Sequence, residues 1–421
     1  MQIFEPEITT QSILEDLGSK TMVDYFFDTV SRYPDRLALR AKTAQDGSDT
    51  DKVGEFSIEP DEMGESWRTY SWSQYGDASS RFAKSLEKLG VKADDRVMLL
   101  LRNCPAFHIC DVGIMIHGAT PVSIYHSSSP DQIKYLIEHS GASVIVAEHA
   151  AFVERIAEIA NDIPTLKHLI MVEDPSTLSE KTKSDLGSIN LEYLYEIVAE
   201  AEPVTAEEAR SNTTMDDYCT IIYTSGTTGP PKGVALTQSN ITFTTESLVR
   251  RLDMNPDGWR VVSYLPMAHI AERMVSHYLG MRYGWSLTCC PDATLVSQYL
   301  GPTKPHALFA VPRIWEKAYG TINAFIDSEK RAKFDEALAK GNDIAERKSA
   351  GETISQAELD EFEPINEKYL KPWRELLGLD ECLVAVSGAA PLPKEILLFF
   401  RGLQIPVSEI YGLSETCGPL T

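Results

Sequence analysis

No run of about 18 consecutive apolar residues occurs in the chain, so no membrane-spanning helix is expected. The start, Met-Gln-Ile-Phe-Glu-Pro-Glu-Ile-Thr-Thr, lacks both a basic flank and an apolar core, so no secretory signal is expected. Cysteine is sparse and poorly spaced: there are seven, Cys104 and Cys110 are too far apart for a Cys-x-x-Cys pair, and Cys289 and Cys290 are adjacent. That spacing matches neither a zinc site nor a disulfide framework, and a reducing, cytoplasmic setting fits best. Positive charge is also short, with 39 Lys and Arg against 62 Asp and Glu and a formal net charge of -23. Such a surface repels nucleic-acid backbone and anionic lipid, so nucleic acid is set aside as a partner. Composition leaves peripheral membrane contact open. An anionic ligand would have to be met by a local concentration of cations or N–H dipoles. Internal repeats and low-complexity tracts are absent as well.

What is present is ordinary for a soluble globular protein: 421 residues, 43% hydrophobic and 24% charged, enough for more than one packed unit. Tyr75, Ala78, Phe82, Leu86 and Leu89 recur at helical spacing, and Gly90 stops a helix over Ser71–Leu89. Short apolar runs follow at Arg96–Leu101, Pro121–Tyr125, Ser143–Ala147 and His168–Val172. Helical stretches separate them at 105–117, from Ser129 with Pro130 at the first position, and at 150–161. Strands alternating with helices predict parallel βαβ units, and strands without polar alternation predict burial on both faces. Further strands are expected at Thr220–Tyr223, Val261–Leu265, Ser286–Cys290, Ala307–Val311, Leu383–Val386 and Val407–Ile410. Segments 43–66, 173–189 and 203–216 read as surface loops, and 325–350 as a solvated, charged helix.

The sharpest feature is Tyr223-Thr-Ser-Gly-Thr-Thr-Gly-Pro-Pro-Lys-Gly233, directly after a buried strand. Glycines let backbone approach an anion, consecutive N–H groups form a nest, hydroxyls add donors, and Lys232 adds a full charge. That chemistry suits a triphosphate. A Walker A loop is disfavoured, because Pro231 stands where the second glycine belongs and Gly233 where Ser or Thr belongs. The plain alternative is a Gly/Thr/Pro surface loop.

This string resembles the signature of the adenylate-forming superfamily. Four further segments resemble that superfamily's motifs in the right order: Tyr264-Leu-Pro-Met-Ala-His-Ile-Ala-Glu-Arg273, Ala310-Val-Pro-Arg-Ile-Trp-Glu-Lys317, Ser387-Gly-Ala-Ala-Pro391 and Tyr411-Gly-Leu-Ser-Glu415. The second of them is similar to a segment of long-chain acyl-CoA synthetases. Glu272-Arg273 and the ending Ser-Glu-Thr-Cys-Gly-Pro resemble bubblegum-type relatives rather than the bacterial enzymes that carry a gating Trp.

The resemblance implies an α/β fold: a layered αβαβα large domain with two mostly parallel sheets, an incomplete β-barrel subdomain and no C-terminal small domain. Residues 1–421 would form the N-terminal AMP-binding large domain, with subdomains near 66–235 and 236–380 and with 381–421 returning to the nucleotide site. It implies ATP-dependent activation of a long-chain fatty acid to acyl-adenylate and then acyl-CoA, releasing AMP and pyrophosphate, with ATP, Mg2+ and coenzyme A as cofactor and co-substrates. Lys232, Glu415 and His269 are the expected catalytic residues. Thr224, Ser225, Gly226, Thr227, Thr228 and Gly229 would hold the phosphates. Ser387, Gly388, Ala389, Ala390, Tyr411, Gly412, Leu413 and Ser414 would hold the nucleoside, Thr228 and Glu415 the magnesium. His269, Arg273, Val311 and Gly388 would meet the acyl group. Without the resemblance, His269 reads as a structural residue, and Glu272 with Arg273 as a surface ion pair. The family's ribose-binding Thr-Gly-Asp segment, hinge and adenylation lysine all follow the last motif, so the chain reads as a truncated form of poor turnover. An aryl-CoA ligase, a fatty acyl-AMP ligase, a peptide-synthetase adenylation domain or a non-catalytic binding fragment are the alternatives. The oligomeric state is not legible, a homodimer being one option.

Overall fold

The computed structural model describes residues 9–43, 52–61, 64–224 and 229–420. The chain divides into two compact units. One comprises Asp16–Gly258 with Ser263–Ala293, the other Met1–Glu15, Trp259–Val262 and Thr294–Thr421.

In the larger unit the expected βαβ run forms a five-stranded sheet. Its order is Thr120–Ser123, Arg96–Leu100, Val144–Ala147, His168–Met171 and Asn190–Tyr193, every neighbouring pair parallel. The central strands are almost wholly apolar because helices cover them, whereas the edge strand Asn190–Tyr193 is only partly buried. Ile145, Val146, Leu169 and Ile170 are fully buried, each burial stabilising by about 1.5–3 kcal/mol. Ser71 caps the Trp72–Lys88 helix through a reciprocal box with Gln74, and Ser129 does the same with Gln132 ahead of Pro130–Ser140. A second sheet joins Ser286–Cys289, Leu37–Lys42, Ser66–Ser71 and Ser57–Pro60, with only the first of those pairs parallel. Beneath it Phe26, Trp72 and Tyr75 pack with ring centroids 5.0–6.0 Å apart.

The smaller unit carries a three-stranded parallel sheet in the order Ala307–Ala310, Val384–Ser387, Val407–Glu409. Helices Pro312–Phe325, Ser328–Ser349 and Lys394–Gly402 pack through aromatic rings, Trp315 on Phe400 at 5.0 Å and Tyr319 on Phe399 at 4.8 Å. The charged helix buries a stripe of Phe334, Ala337 and Ile344 and exposes most of its charged residues.

The α/β class with parallel sheets is therefore observed, and among the described residues no closed barrel forms. The segments expected as loops each contain an element: Ser57–Pro60, Glu180–Asp185 and Ala206–Ser211. The two helices are short and polar, and their hydroxyl N-caps, Ser179 and Thr205, look like turn formers in sequence. All seven cysteines are buried, and no helix among the described residues is long and apolar enough to cross a membrane.

Candidate active site

In the larger unit the described ends of the glycine–threonine string lie on two paired strands. Tyr218–Thr224 pairs antiparallel with Lys232–Thr237, placing Thr224 opposite Lys232 and Tyr223 opposite Gly233. Lys232 is thus the first residue of the returning strand. It is exposed and has no ion-pair partner among the described residues. Gly229 is exposed with open space where a Cβ would project, whereas a Cβ on Gly233 would lie 3.0 Å from Ile221. Ser225, Gly226, Thr227 and Thr228 lie outside the described residues.

The acyl-site segment is in the same unit. His269 caps a short turn, its Nδ1 accepting the Ala271 N–H at 3.1 Å. That bond fixes the neutral tautomer with hydrogen on Nε2. The ring is exposed, yet protein atoms around its base lower its pKa below 6.5 by desolvation. Glu272 is buried; its Oε2 accepts the Leu265 N–H at 3.3 Å and its Oε1 has no hydrogen-bond partner among the described residues. Burial pushes its pKa up to about 7, against the nearby Ser276 and Ser263 hydroxyls.

Arg273 opens a π-helical turn, Arg273–Tyr278, whose i→i+5 bonding is a frequent companion of functional sites. Its side chain is fully buried. One terminal nitrogen donates to Asp111 at 2.6 Å, the other to the Ser123 hydroxyl at 2.6 Å, and Nε to the Tyr278 hydroxyl at 3.0 Å. His277 Nε2 meets the second Asp111 oxygen at 2.9 Å, and His277 Nδ1 meets His108 Nδ1 at 2.9 Å. Burial raises the Asp111 carboxyl, but Arg273 and His277 overcome it and hold the group ionised below its ordinary value. Burial pulls both histidines down to the neutral form, His108 well below its ordinary value. With Nε2–H donated to Asp111, His277 accepts at Nδ1, so His108 carries its hydrogen there. Glu272 and Arg273 are therefore not the surface ion pair that sequence allowed. They are buried and bond to different elements.

In the smaller unit three expected segments leave one end of the parallel sheet. Ala310, Ser387 and Glu409 are paired in register, and Val311, Gly388 and Ile410 follow them directly. The Ile410 N–H donates to the Ser387 carbonyl at 2.9 Å. Ser387 is buried and its hydroxyl has no partner among the described residues. A Cβ on Gly388 would lie 3.0 Å from the Ile410 and Phe309 side chains, so the turn is tightly packed there. Ala389 has φ +69°, a left-handed conformation that costs a non-glycine residue about 1–3 kcal/mol and clusters at functional sites. Ala390 continues the turn, and the Leu392 N–H donates to Glu409 at 2.9 Å. Gly412–Leu413 pairs with Gly418–Pro419 so closely that a Cβ on Gly412 would collide with the Gly418 carbonyl. Tyr411, Leu413 and Glu415 are exposed, Ser414 is half-buried, and Glu415 has no ion-pair partner among the described residues. Val311, half-buried, precedes the Pro312–Phe325 helix. Ligands of open α/β sheets sit at such carboxyl ends.

Sequence reading missed Asp111, His108 and His277. A signal existed: one Asp inside the otherwise apolar stretch Ile109–Ile116 demands a buried partner.

Comparison with known proteins gives the same grouping. The chain is 32% identical over 426 residues to the long-chain-fatty-acid–CoA ligase ACSBG2 of Xenopus laevis, covering 97% of this chain and 53% of that protein. It is 28% identical to the long-chain-fatty-acid–CoA ligase heimdall of Drosophila melanogaster, covering 100% of this chain and 60% of that protein. The chain thus spans about half the length of these curated relatives. Among solved structures, the A-PCP didomain of a carboxylic acid reductase from Segniliparus rugosus, in complex with AMP, superposes with a TM-score of 0.67 at 19% identity, over 98% of this chain and 55% of that one. With the sequence matching the family description over residues 26–421 as well, the chain belongs to the AMP-binding enzyme family.

Proposed function

We propose that the protein activates a long-chain fatty acid with ATP, forming acyl-adenylate and pyrophosphate, and passes the acyl group to coenzyme A. The observation that carries this reading is the in-register trio Ala310, Ser387 and Glu409, from which three motif segments leave one sheet end. The relatives' names supply the class of acid: both are long-chain-fatty-acid–CoA ligases.

The first step brings a carboxylate to a triphosphate, and both are anions, so fixed positive charge and donors must offset the repulsion. Lys232, exposed at the hairpin root, is the fixed cation. Thr224 and Gly229, with Ser225–Thr228 between them, are the proposed N–H and hydroxyl donors. Magnesium suits the described part of its expected donor set, since Glu415 is an exposed carboxylate with no ion-pair partner among the described residues. When bound, it would neutralise phosphate charge. Tyr411 offers an exposed ring face to adenine; Ser387, Gly388, Ala389 and Ala390 form the turn against which the ring lies, and Gly412, Leu413 and Ser414 complete that wall. A carboxylate oxygen then bonds to the α-phosphorus as the bond to pyrophosphate breaks. The CoA thiol next attacks the acyl carbon, loses its proton and releases AMP. Positioning and charge stabilisation carry such phosphoryl chemistry. A neutral, tautomer-fixed His269 suits orienting the acyl carboxylate rather than transferring its proton. Val311 and Gly388 are proposed along the acyl path, and Arg273 behind it as a buried support. Seven scattered cysteines whose spacing matches no disulfide framework suit a reducing cytosol.

The test is pyrophosphate release by the complete gene product with ATP and, in turn, a long-chain fatty acid, benzoate and an amino acid. Release with the fatty acid is expected. Preference for benzoate or the amino acid overturns the acid class, and release with none overturns the ATP-dependent reading.

A further inference from the structure

We propose that Tyr135 and His139 position Lys232 and so set its contribution to triphosphate affinity; the inference rests on the phosphate role proposed above. The chain on either side, at Tyr223 and at Pro231, is tied to one helix. The Tyr135 hydroxyl donates to the Pro231 carbonyl at 2.8 Å, and His139 Nδ1 is bonded to the Tyr223 hydroxyl at 2.8 Å. The Tyr135 and His139 rings lie 5.4 Å apart, and His139 meets the Tyr223 ring edge-on at 5.6 Å.

The geometry follows from sequence. Residues four apart share a helix face, and Tyr135 and His139 are so spaced on Pro130–Ser140. The helix is a firm platform. Ser129 and Gln132 cap its start, and Ile133, Leu136 and Ile137 bury its opposite side. Pro231 has no N–H to give a strand ladder, so its carbonyl is the backbone handle left beside Lys232. Tyr223 and Thr224 lie on the other strand, and Thr224 faces Lys232 across the ladder. Tyr135 and His139 are only partly covered, so the two bonds add little to the core. What they fix is the separation of the two strand ends from which the exposed lysine projects. A displacement near 1 Å at such a point is enough to weaken a charge contact severely.

The experiment compares binding of Mg-ATP and of AMP to the protein by titration calorimetry, with melting temperature recorded for each variant. Tyr135→Phe and His139→Leu should each weaken ATP by about three- to tenfold, the range one lost hydrogen bond gives. AMP, which carries no β- or γ-phosphate, should bind as before, and His139→Gln, which keeps a polar partner for Tyr223, should recover most of the loss. Equal weakening of ATP and AMP would reduce the pair to general structure and overturn the proposal. Lys232→Ala separates the two levels. If it leaves ATP affinity unchanged, the phosphate role of the hairpin fails and this inference with it. If it weakens ATP while Tyr135→Phe and His139→Leu do not, the positioning pair alone is wrong. Should His139→Leu fail to fold, Tyr135→Phe, which removes one oxygen, decides.

Discussion

Around Arg273 four ionisable side chains, Arg273, Asp111, His108 and His277, sit at 0–1% exposure and hold one another through one ion pair and the hydrogen bonds of two neutral histidines. Around Tyr411 the Tyr411 and Glu415 side chains are exposed, and the shape is held mostly by backbone: Gly412 has no room for a Cβ, Gly388 is tightly packed, Ala389 is in a left-handed conformation, and Thr416 only ties the turn to itself. In the first region side chains determine geometry, so removing one partner undermines the structure. In the second the main chain determines geometry, so a side chain can be removed with its chemistry alone.

The strongest attempt to break this contrast is Asp111→Ala. It leaves the Arg273 guanidinium buried without a counter-charge and should cost about 3–5 kcal/mol, read by urea unfolding. Wild-type stability would show that the charges are not what holds the region.

A second test sharpens the contrast through pH. Glu272 has its pKa raised from 4.5 to about 7, so between those values the folded state holds a proton that the unfolded state has lost. Stability should therefore fall as pH rises from 4.5 to 7 and stay reduced above it, by at most on the order of 3 kcal/mol from this group. Glu272→Gln should remove that slope, and the variant should be the more stable protein at pH 8. An unchanged slope would place the titration elsewhere.

The smallest expected stability effects come from Glu415→Ala and Lys232→Ala, each within about 0.5 kcal/mol of wild type by thermal unfolding. Adenylate formation should nevertheless drop by on the order of a hundredfold in each, measured as pyrophosphate release. Normal release from both would show that the phosphate site lies elsewhere.

The two regions were not equally readable in sequence. The Val144–Ala147 and His168–Met171 strands were legible because burial on both faces leaves almost nothing but apolar residues. Leu37–Lys42 was not, because Arg40 and Lys42 interrupt it; their charged heads lie over the Trp67 ring at 4.5 and 5.4 Å, a contact invisible before folding. The first strand of the hairpin is legible in sequence, but the returning strand Lys232–Thr237 is not, because Pro230, Pro231 and Gly233 suggest irregular chain, yet Gly233 enters the ladder opposite Tyr223. Ser387–Ala390 is legible as a strand-end segment because it follows the apolar run Leu383–Val386, and Tyr411–Glu415 because it follows the expected strand Val407–Ile410. The Asp111–Arg273 pair was not, because 162 positions separate residues that only tertiary packing joins.

The neighbouring strands Ala307–Ala310 and Val384–Ser387 are separated in sequence by a long helical excursion, Pro312–Leu377. Extra turns inserted into that excursion leave the strand pairing untouched. Deleting one residue inside Val384–Ser387 turns the side chains beyond it to the opposite face. Insertions and deletions should therefore accumulate in the helices and be purged from the strands, letting descendants of this chain change size while its three exits stay aligned.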